Sequence, residues 1–179
     1  YGFVGSTIAL RDTTWIGSKT KILITTKDIG AGVSRITYKL KGGDEKVYTE
    51  PFSFDNAGFH EVICTAYDNV DNVNLISFRF NVDNQAPCIY HHFSLEPSGW
   101  LDDNGEKVPV FLKGLKLYLA STDNISGVEK LDYSINGAGE IQYSTPIERF
   151  KPNTSYTLLI KSSDILGNSS EKTIKFRVE

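Results

Sequence analysis

Short runs in which apolar and polar positions alternate, each closed by Gly, Asn, Asp or Pro, follow one another along the whole chain. The pattern predicts strands at Lys21 to Thr26, Arg35 to Leu40, Phe59 to Tyr67 and Ser77 to Val82, with shorter extended pieces at Val47 to Thr49 and Phe52 to Phe54. In the Phe59 run, Val62, Cys64 and Ala66 fall on one face and are predicted to enter a core. The opening stretch from Tyr1 to Gly17 reads as irregular, with an edge strand at Thr7 to Leu10 and Trp15 beside a glycine turn. No stretch sustains the apolar spacing of three and four that a helix needs, so helices should be nearly absent.

One part of this pattern occurs twice. Asp28-Ile29-Gly30-Ala31-Gly32-Val33 leads into a strand through Tyr38, and Asp123-Asn124-Ile125-Ser126-Gly127-Val128 leads into another through Tyr133. The offset, Asp123 minus Asp28, is 95, and the pairs Tyr38/Tyr133, Tyr48/Tyr143 and Pro51/Pro146 keep it. Asp68/Asp164, Asn72/Asn168, Phe80/Phe176 and Val82/Val178 follow at an offset of 96, so a single residue is inserted between the two groups. A repeat of nearly half the chain predicts two domains, residues 1–84 and 85–179. The second is expected to differ mainly at its start, where Ser98 to Val110 is longer than anything in the first copy. About seven short strands per half, with turn signals between them, describe an all-β chain of two tandem immunoglobulin-like antiparallel β-sandwiches.

Composition narrows the function more than it names it. The 19 basic and 22 acidic residues are interspersed, with a formal charge of -3 and no basic cluster to track a phosphate backbone, so nucleic acid is not an expected partner. The apolar runs are too short to span a bilayer as helices. Because Tyr1 opens a mid-strand pattern, the chain reads as an internal fragment of something longer. Cys64 sits at an inward strand position and Cys88 at the junction, a separation that favours free thiols.

The strings Ser126-Gly127-Val128, Tyr133 to Gly137, Tyr143 to Ile147 and Asp164 to Ser169, with Asp83-Asn84-Gln85-Ala86-Pro87 after the first copy, resemble bacterial immunoglobulin-like repeats of the leptospiral outer-membrane-protein type. The resemblance spans nearly all of both halves. It implies a module of a bacterial secreted, cell-surface or periplasmic protein, serving as a stalk, a spacer or an adhesive unit. The first copy departs from the pattern at Asn69-Val70-Asp71, where the second has Ile165-Leu166-Gly167.

Catalytic motifs are absent from the sequence: it has no Gly-x-Ser-x-Gly, no metalloprotease histidine pair and no phosphate loop. The adjacent His91 and His92 would point to opposite faces of a strand, and His60 is isolated. The chain is therefore read as no enzyme, with no required cofactor. Calcium is the sharper expectation. Asp83 and Asn84 in the linker, with Asp123 and Asp164 in loops expected to face it, offer hard oxygen ligands, and the linker resembles the calcium-binding junction of cadherins. The plainer reading of the same residues is that they cap their own turns.

A third expectation is a binding surface for a glycan or a host or matrix protein, built on Trp100, Tyr90 and Trp15, with Trp100 in the long loop as its centre. The chief reading is a non-catalytic spacer or positioning module beside neighbouring domains of a longer chain. The alternatives are an adhesive or carbohydrate-binding module using the Trp100 loop, and an accessory domain of an extracellular enzyme.

Overall fold

The computed structural model describes residues 1–10 and 12–179, and among these there is no helix. The chain divides into two compact units, Tyr1–Gln85 and Ala86–Glu179. The first contains β1 (Gly2–Val4), β2 (Thr7–Leu10), β3 (Thr13–Gly17), β4 (Lys21–Leu23), β5 (Val33–Leu40), β6 (Lys46–Val47), β7 (Gly58–Asp68) and β8 (Val73–Asp83). The second contains β9 (Cys88–Phe93), β10 (Gly99–Asp103), β11 (Glu106–Phe111), β12 (Leu117–Thr122), β13 (Val128–Ile135), β14 (Ile141–Gln142), β15 (Thr154–Asp164) and β16 (Ser169–Val178).

Both units use one plan. A six-stranded sheet runs β2-β3-β8-β7-β5-β6 in the first and β10-β11-β16-β15-β13-β14 in the second. Facing it is a smaller layer, β1 with β4 or β9 with β12, widened by the bridges Ile22↔Phe52 and Leu117↔Ile147. Each unit is thus a two-layer sandwich of the immunoglobulin-like and fibronectin III-like kind.

The alternation seen in the sequence fills the space between the layers. Val62 and Cys64 of β7 meet Ile16, Ile22, Phe78, Phe80 and Val82 in one core, while Leu158 and Ile160 of β15 meet Phe111, Leu117, Phe176 and Val178 in the other. Each fully buried aliphatic or aromatic side chain stabilises its unit by roughly 1.5–3 kcal/mol.

A corner residue marks each unit, buried in the second and half-buried in the first. Tyr156 at the start of β15 accepts a hydrogen bond at its hydroxyl from the Lys151 N–H, 2.6 Å away, in the manner of the tyrosine corner of immunoglobulin-like folds. At the matching place in β7 stands His60, whose Nε2 lies 2.8 Å from the Asn56 carbonyl and donates to it. The inserted residue of the second copy falls between Ile147 and Phe150. There Arg149 takes a φ of 63°, a local left-handed kink that absorbs the extra length.

Three expectations are revised. The stretch read as irregular, Tyr1 to Gly17, contains β1 and β3 beside the expected edge strand at Thr7–Leu10, which is β2. These strands have three to five residues. Strands so short show little alternation of their own and are defined by the partners they pair with. The long opening of the second unit is likewise a hairpin, with Trp100 opposite Pro109 and Asp103 opposite Glu106 around an Asn104-Gly105 turn. Both turn residues have positive φ, which suits an Asn-Gly hairpin turn. Finally, one pairing in each otherwise antiparallel large sheet is parallel: β3 along β8, and β11 along β16. Strand direction leaves no trace in an alternation pattern, because inward and outward positions alternate the same way in either direction.

Candidate functional site: acidic loops and an aromatic ladder

The acidic residues singled out in the second unit lie at the ends of two neighbouring loops. Asp123 follows β12, and its Oδ1 accepts hydrogen bonds from the Ile125 N–H at 3.0 Å, the Gly127 N–H at 2.8 Å and the Ser126 hydroxyl at 3.4 Å. Asp164 ends β15, is fully buried, and accepts from the Asn168 N–H at 2.9 Å and the Asn168 side-chain amide at 2.8 Å. The Ile165 N–H donates to the Gly127 carbonyl at 3.2 Å and ties the loops together. Carboxylate oxygens of Asp123 and Asp164 consequently lie within 4.8 Å of each other. That spacing suits two ligands of one hard cation, and Asp123 uses only Oδ1 in the bonds given above. Asn124, beside them, is exposed.

The first unit repeats the wiring. Asp28 accepts from the Gly32 N–H at 2.6 Å, Asp68 accepts from the N–H groups of Val70 and Asn72 and from the Asn72 amide, and the Asn69 N–H donates to Gly32 O at 3.1 Å. The hydrogen bonds from Asn72, with help from Val70, hold the Asp68 carboxyl below its ordinary range. Asp28 is exposed and Asp68 half-buried, whereas Asp123 is half-buried and Asp164 fully so.

Of the linker residues, Asp83 is the fully buried last residue of β8, and its Oδ1 accepts from the Gln85 N–H at 3.0 Å. Asn84 is exposed and donates its side-chain amide to Asp55 O at 2.8 Å. Cys64 is a free thiol in the core, where burial raises its pKa, and Cys88 is free and exposed.

The aromatic candidates divide. Trp15 is half-buried on β3, opposite Ile8. Trp100, expected on an irregular loop, stands on β10 with 60% of its surface exposed. Tyr90 stands on β9, in the smaller sheet, 53% exposed. The register sets Tyr90 opposite Ala120 and His92 opposite Tyr118, so Tyr90, His92 and Tyr118 share the outer face of the β9–β12 ladder. The His92 and Tyr118 rings have centroids 6.3 Å apart at 39°. In sequence, His92 reads only as one of two adjacent histidines on opposite faces of a strand. The Tyr-x-His spacing with a tyrosine on the partner strand was the available signal, but it needs the register to be read.

His91 points the other way, into the sandwich, with its ring edge-on to Phe93 at 5.5 Å. Burial, reinforced by Lys172, pushes its pKa down. The ladder presents ring faces and hydroxyls to solvent, a combination that stacks on sugar rings or anchors a protein contact. At the tip of the Trp100 hairpin, Lys175 of β16 pairs with Asp103 at 3.2 Å and Glu106 at 2.7 Å.

No protein-family model matches the chain, and no curated protein matches it. Among solved structures, it is similar to the fibronectin(III)-like modules of Clostridium thermocellum CbhA, with 8% identity over 92% of this chain and 88% of that one and a TM-score of 0.43. It is similar also to the extracellular cadherin domains 1–5 of protocadherin gamma B2, with 14% identity, 92% of this chain and 38% of that one, and a TM-score of 0.31. The D00-D0 domain of intimin gives 12% identity, 96% and 98% coverage and a TM-score of 0.29.

Proposed function

We propose that the chain is a non-catalytic tandem module of a bacterial secreted or cell-surface protein, of the leptospiral-type immunoglobulin-like repeat kind, and that it acts as a spacer or positioning element outside the cytoplasm. One observation carries this reading: the polar side chains that recur between the units are those that lock loops to backbone. Asp28 and Asp123 cap one loop, Asp68 and Asp164 the other, and each pair of loops is joined by the same N–H to carbonyl bond. What has been duplicated is scaffolding. The test is a screen of the chain against glycans and matrix proteins, in which a spacer gives no saturable binding.

The second reading, an adhesive or carbohydrate-binding module, is favoured by the exposure of Trp100. It predicts saturable binding that Trp100→Ala abolishes while the melting temperature stays unchanged, and that outcome would displace the spacer reading.

Calcium belongs to the proposal as a stiffener. Asp123 and Asp164 are its proposed first ligands, with Asp83 and Asn84 of the linker sequence as further oxygen donors. In excess calcium, at about a hundred times its Kd, a folded-state ligand adds about 2.7 kcal/mol. For units of this size that raises the melting midpoint by roughly 10–20 °C over the value in a chelator. Asp123→Asn keeps an oxygen acceptor for Ile125 and Gly127 but removes the charge, and should abolish most of the shift. The same midpoint with and without calcium would sink the idea.

A further inference from the structure

The outer faces of the two large sheets share one register and carry opposite chemistry. In the second unit, one row across four strands reads Glu171, Lys161, Asp132 and Gln142. The row at the same place in the first unit reads Leu75, Thr65, Thr37 and Val47. Toward the other end of the sheet, Arg177 beside Ser155 is matched by Asn81 beside Phe59, and the register carries that row on through Trp15 to Ile8. Leu75 keeps 62% of its surface in solvent, Phe59 and Val47 60% each and Val73 57%. An antiparallel sheet with one solvated side is ordinarily polar there, as the second unit is, and the shared fold asks for nothing else. The apolar face of the first unit is therefore surface without a cover.

The charges on this face are matched within it. Lys41 and Arg79 both pair with Glu61, at 3.1 and 3.0 Å, and the Arg35 guanidinium lies 3.7 Å over the Tyr67 ring. The Thr37 hydroxyl donates to Glu45 at 2.6 Å. Lys39 is exposed on β5, and its long stem can carry the ammonium past the rim. Such a face can be covered without leaving a buried charge unpaired, and it calls for no oppositely charged partner. Its size points the same way. Four strands at about 4.8 Å and some eight residues at about 3.3 Å span roughly 20 by 27 Å, so two such faces together remove roughly 1,100 Å² from water, just above the roughly 1,000 Å² that a specific interface needs.

We propose that two copies of the chain pair through this face, sheet against sheet, with β8, β7 and β5 of one first unit lying on the same strands of its partner. The spacing is that of the layers inside each sandwich, about 10 Å. Leu75 and Phe59 of each copy then leave water against the apolar positions of the other, and the Lys41–Glu61–Arg79 group is covered as a neutralised set. The second unit takes no part through its matching face, where Lys161 is held between Glu140 and Glu171. A module that reads as a spacer thereby also joins two chains side by side, and this holds whether or not the chain binds calcium or a glycan.

The test is sedimentation equilibrium of the full chain between about 1 μM and about 1 mM, where a reversible monomer–dimer equilibrium is expected for an interface of this size. Giving the first unit the chemistry of the second, Leu75→Glu with Phe59→Ser, should weaken dimerisation at least about tenfold. Both side chains face solvent in the single copy, so the circular dichroism spectrum should stay unchanged. Val47→Gln, on the two-residue edge strand, asks less of the fold and should weaken the dimer in the same direction. Glu171→Gln in the second unit should leave it as it is. Added salt should not dissociate the dimer, because apolar contact is not screened. A monomer throughout the range would overturn the proposal and assign the face to a different partner. A dimer that survives the first-unit substitutions, or one that salt dissolves, would overturn it equally, since the contact would then lie elsewhere or rest on charge.

Discussion

The corner residues of the two units, Tyr156 and His60, make a controlled comparison within one molecule. Both rings pack on the phenylalanine of the last strand, Tyr156 at 5.3 Å from Phe176 and His60 at 5.6 Å from Phe80. Both reach back to the loop before their strand. The tyrosine hydroxyl accepts from the Lys151 N–H at 2.6 Å and donates to the Lys151 carbonyl at 3.5 Å, whereas the histidine only donates, to the Asn56 carbonyl at 2.8 Å. The same place is thus filled in both units by a flat ring whose polar atom ties the strand to the backbone before it.

The acidic loops teach the complementary lesson. They share the glycine and asparagine bonds to each aspartate and the N–H to carbonyl bond between loops, yet Leu166 in the second unit is buried while its counterpart Val70 is 65% exposed. Wiring is set locally, by Asp and Gly at fixed spacing, whereas burial is set by what lies over the loop.

This comparison can be broken most easily at the buried carboxylate. Asp164→Ala leaves the half-buried donors of Asn168 beside an emptied buried site and should cost about 2–3 kcal/mol, whereas Asp68→Ala exposes its donors to water and should cost about 1 kcal/mol. Denaturant midpoints of the two variants measure the difference, and equal costs would mean that burial is not what separates the loops. At the corner, Tyr156→Phe should cost about 1 kcal/mol, since it deletes the hydroxyl's bonds to the Lys151 backbone and little packing.

A pH series sharpens the contrast further. The lowered pKa of His91 means that the folded chain resists its protonation. Above the ordinary histidine pKa both states are neutral and stability is unaffected. As pH falls below that value the unfolded chain takes up the proton first and stability declines. The first unit has Tyr1 at the matching place, so His91→Phe should flatten the pH dependence of the second unit's unfolding alone. The smallest effect is expected at Lys161, which pairs with Glu140 at 2.9 Å and Glu171 at 3.2 Å on the surface: Lys161→Ala should change stability by less than about 1 kcal/mol.

These contrasts also show what a sequence can carry. The core of β7 was legible because Val62 and Cys64 alternate within an eleven-residue strand. The Asp and Gly of the loops were legible because capping is local chemistry. Of the short opening strands only Thr7–Leu10 was legible, since Gly2–Val4 becomes a strand only by lying against β4. Nor was the surface of Tyr90, His92 and Tyr118, which exists only once β9 and β12 are in register. Trp100 was noticed as a residue and misplaced as an element, because a hairpin pairing Trp with Pro lacks the usual strand signature. The proximity of Asp123 and Asp164 comes from the β13–β15 register, which sets Val128 opposite Asp164, with the Ile165 to Gly127 bond beside it, and no spacing rule announces either.

The parallel pairings have a consequence for a chain that carries tension. Two strands that run the same way, one toward the beginning of a unit and one at its end, are drawn past each other lengthwise when the unit's ends are pulled apart. Their bonds are then loaded together instead of opening one at a time like a zip. β3 holds β8 in this way over three residues, Trp15–Gly17 against Asn81–Asp83, and β11 holds β16 over two, Val110–Phe111 against Arg177–Val178. Under a steady pull the second unit should yield at the lower force, making it the fuse of the pair.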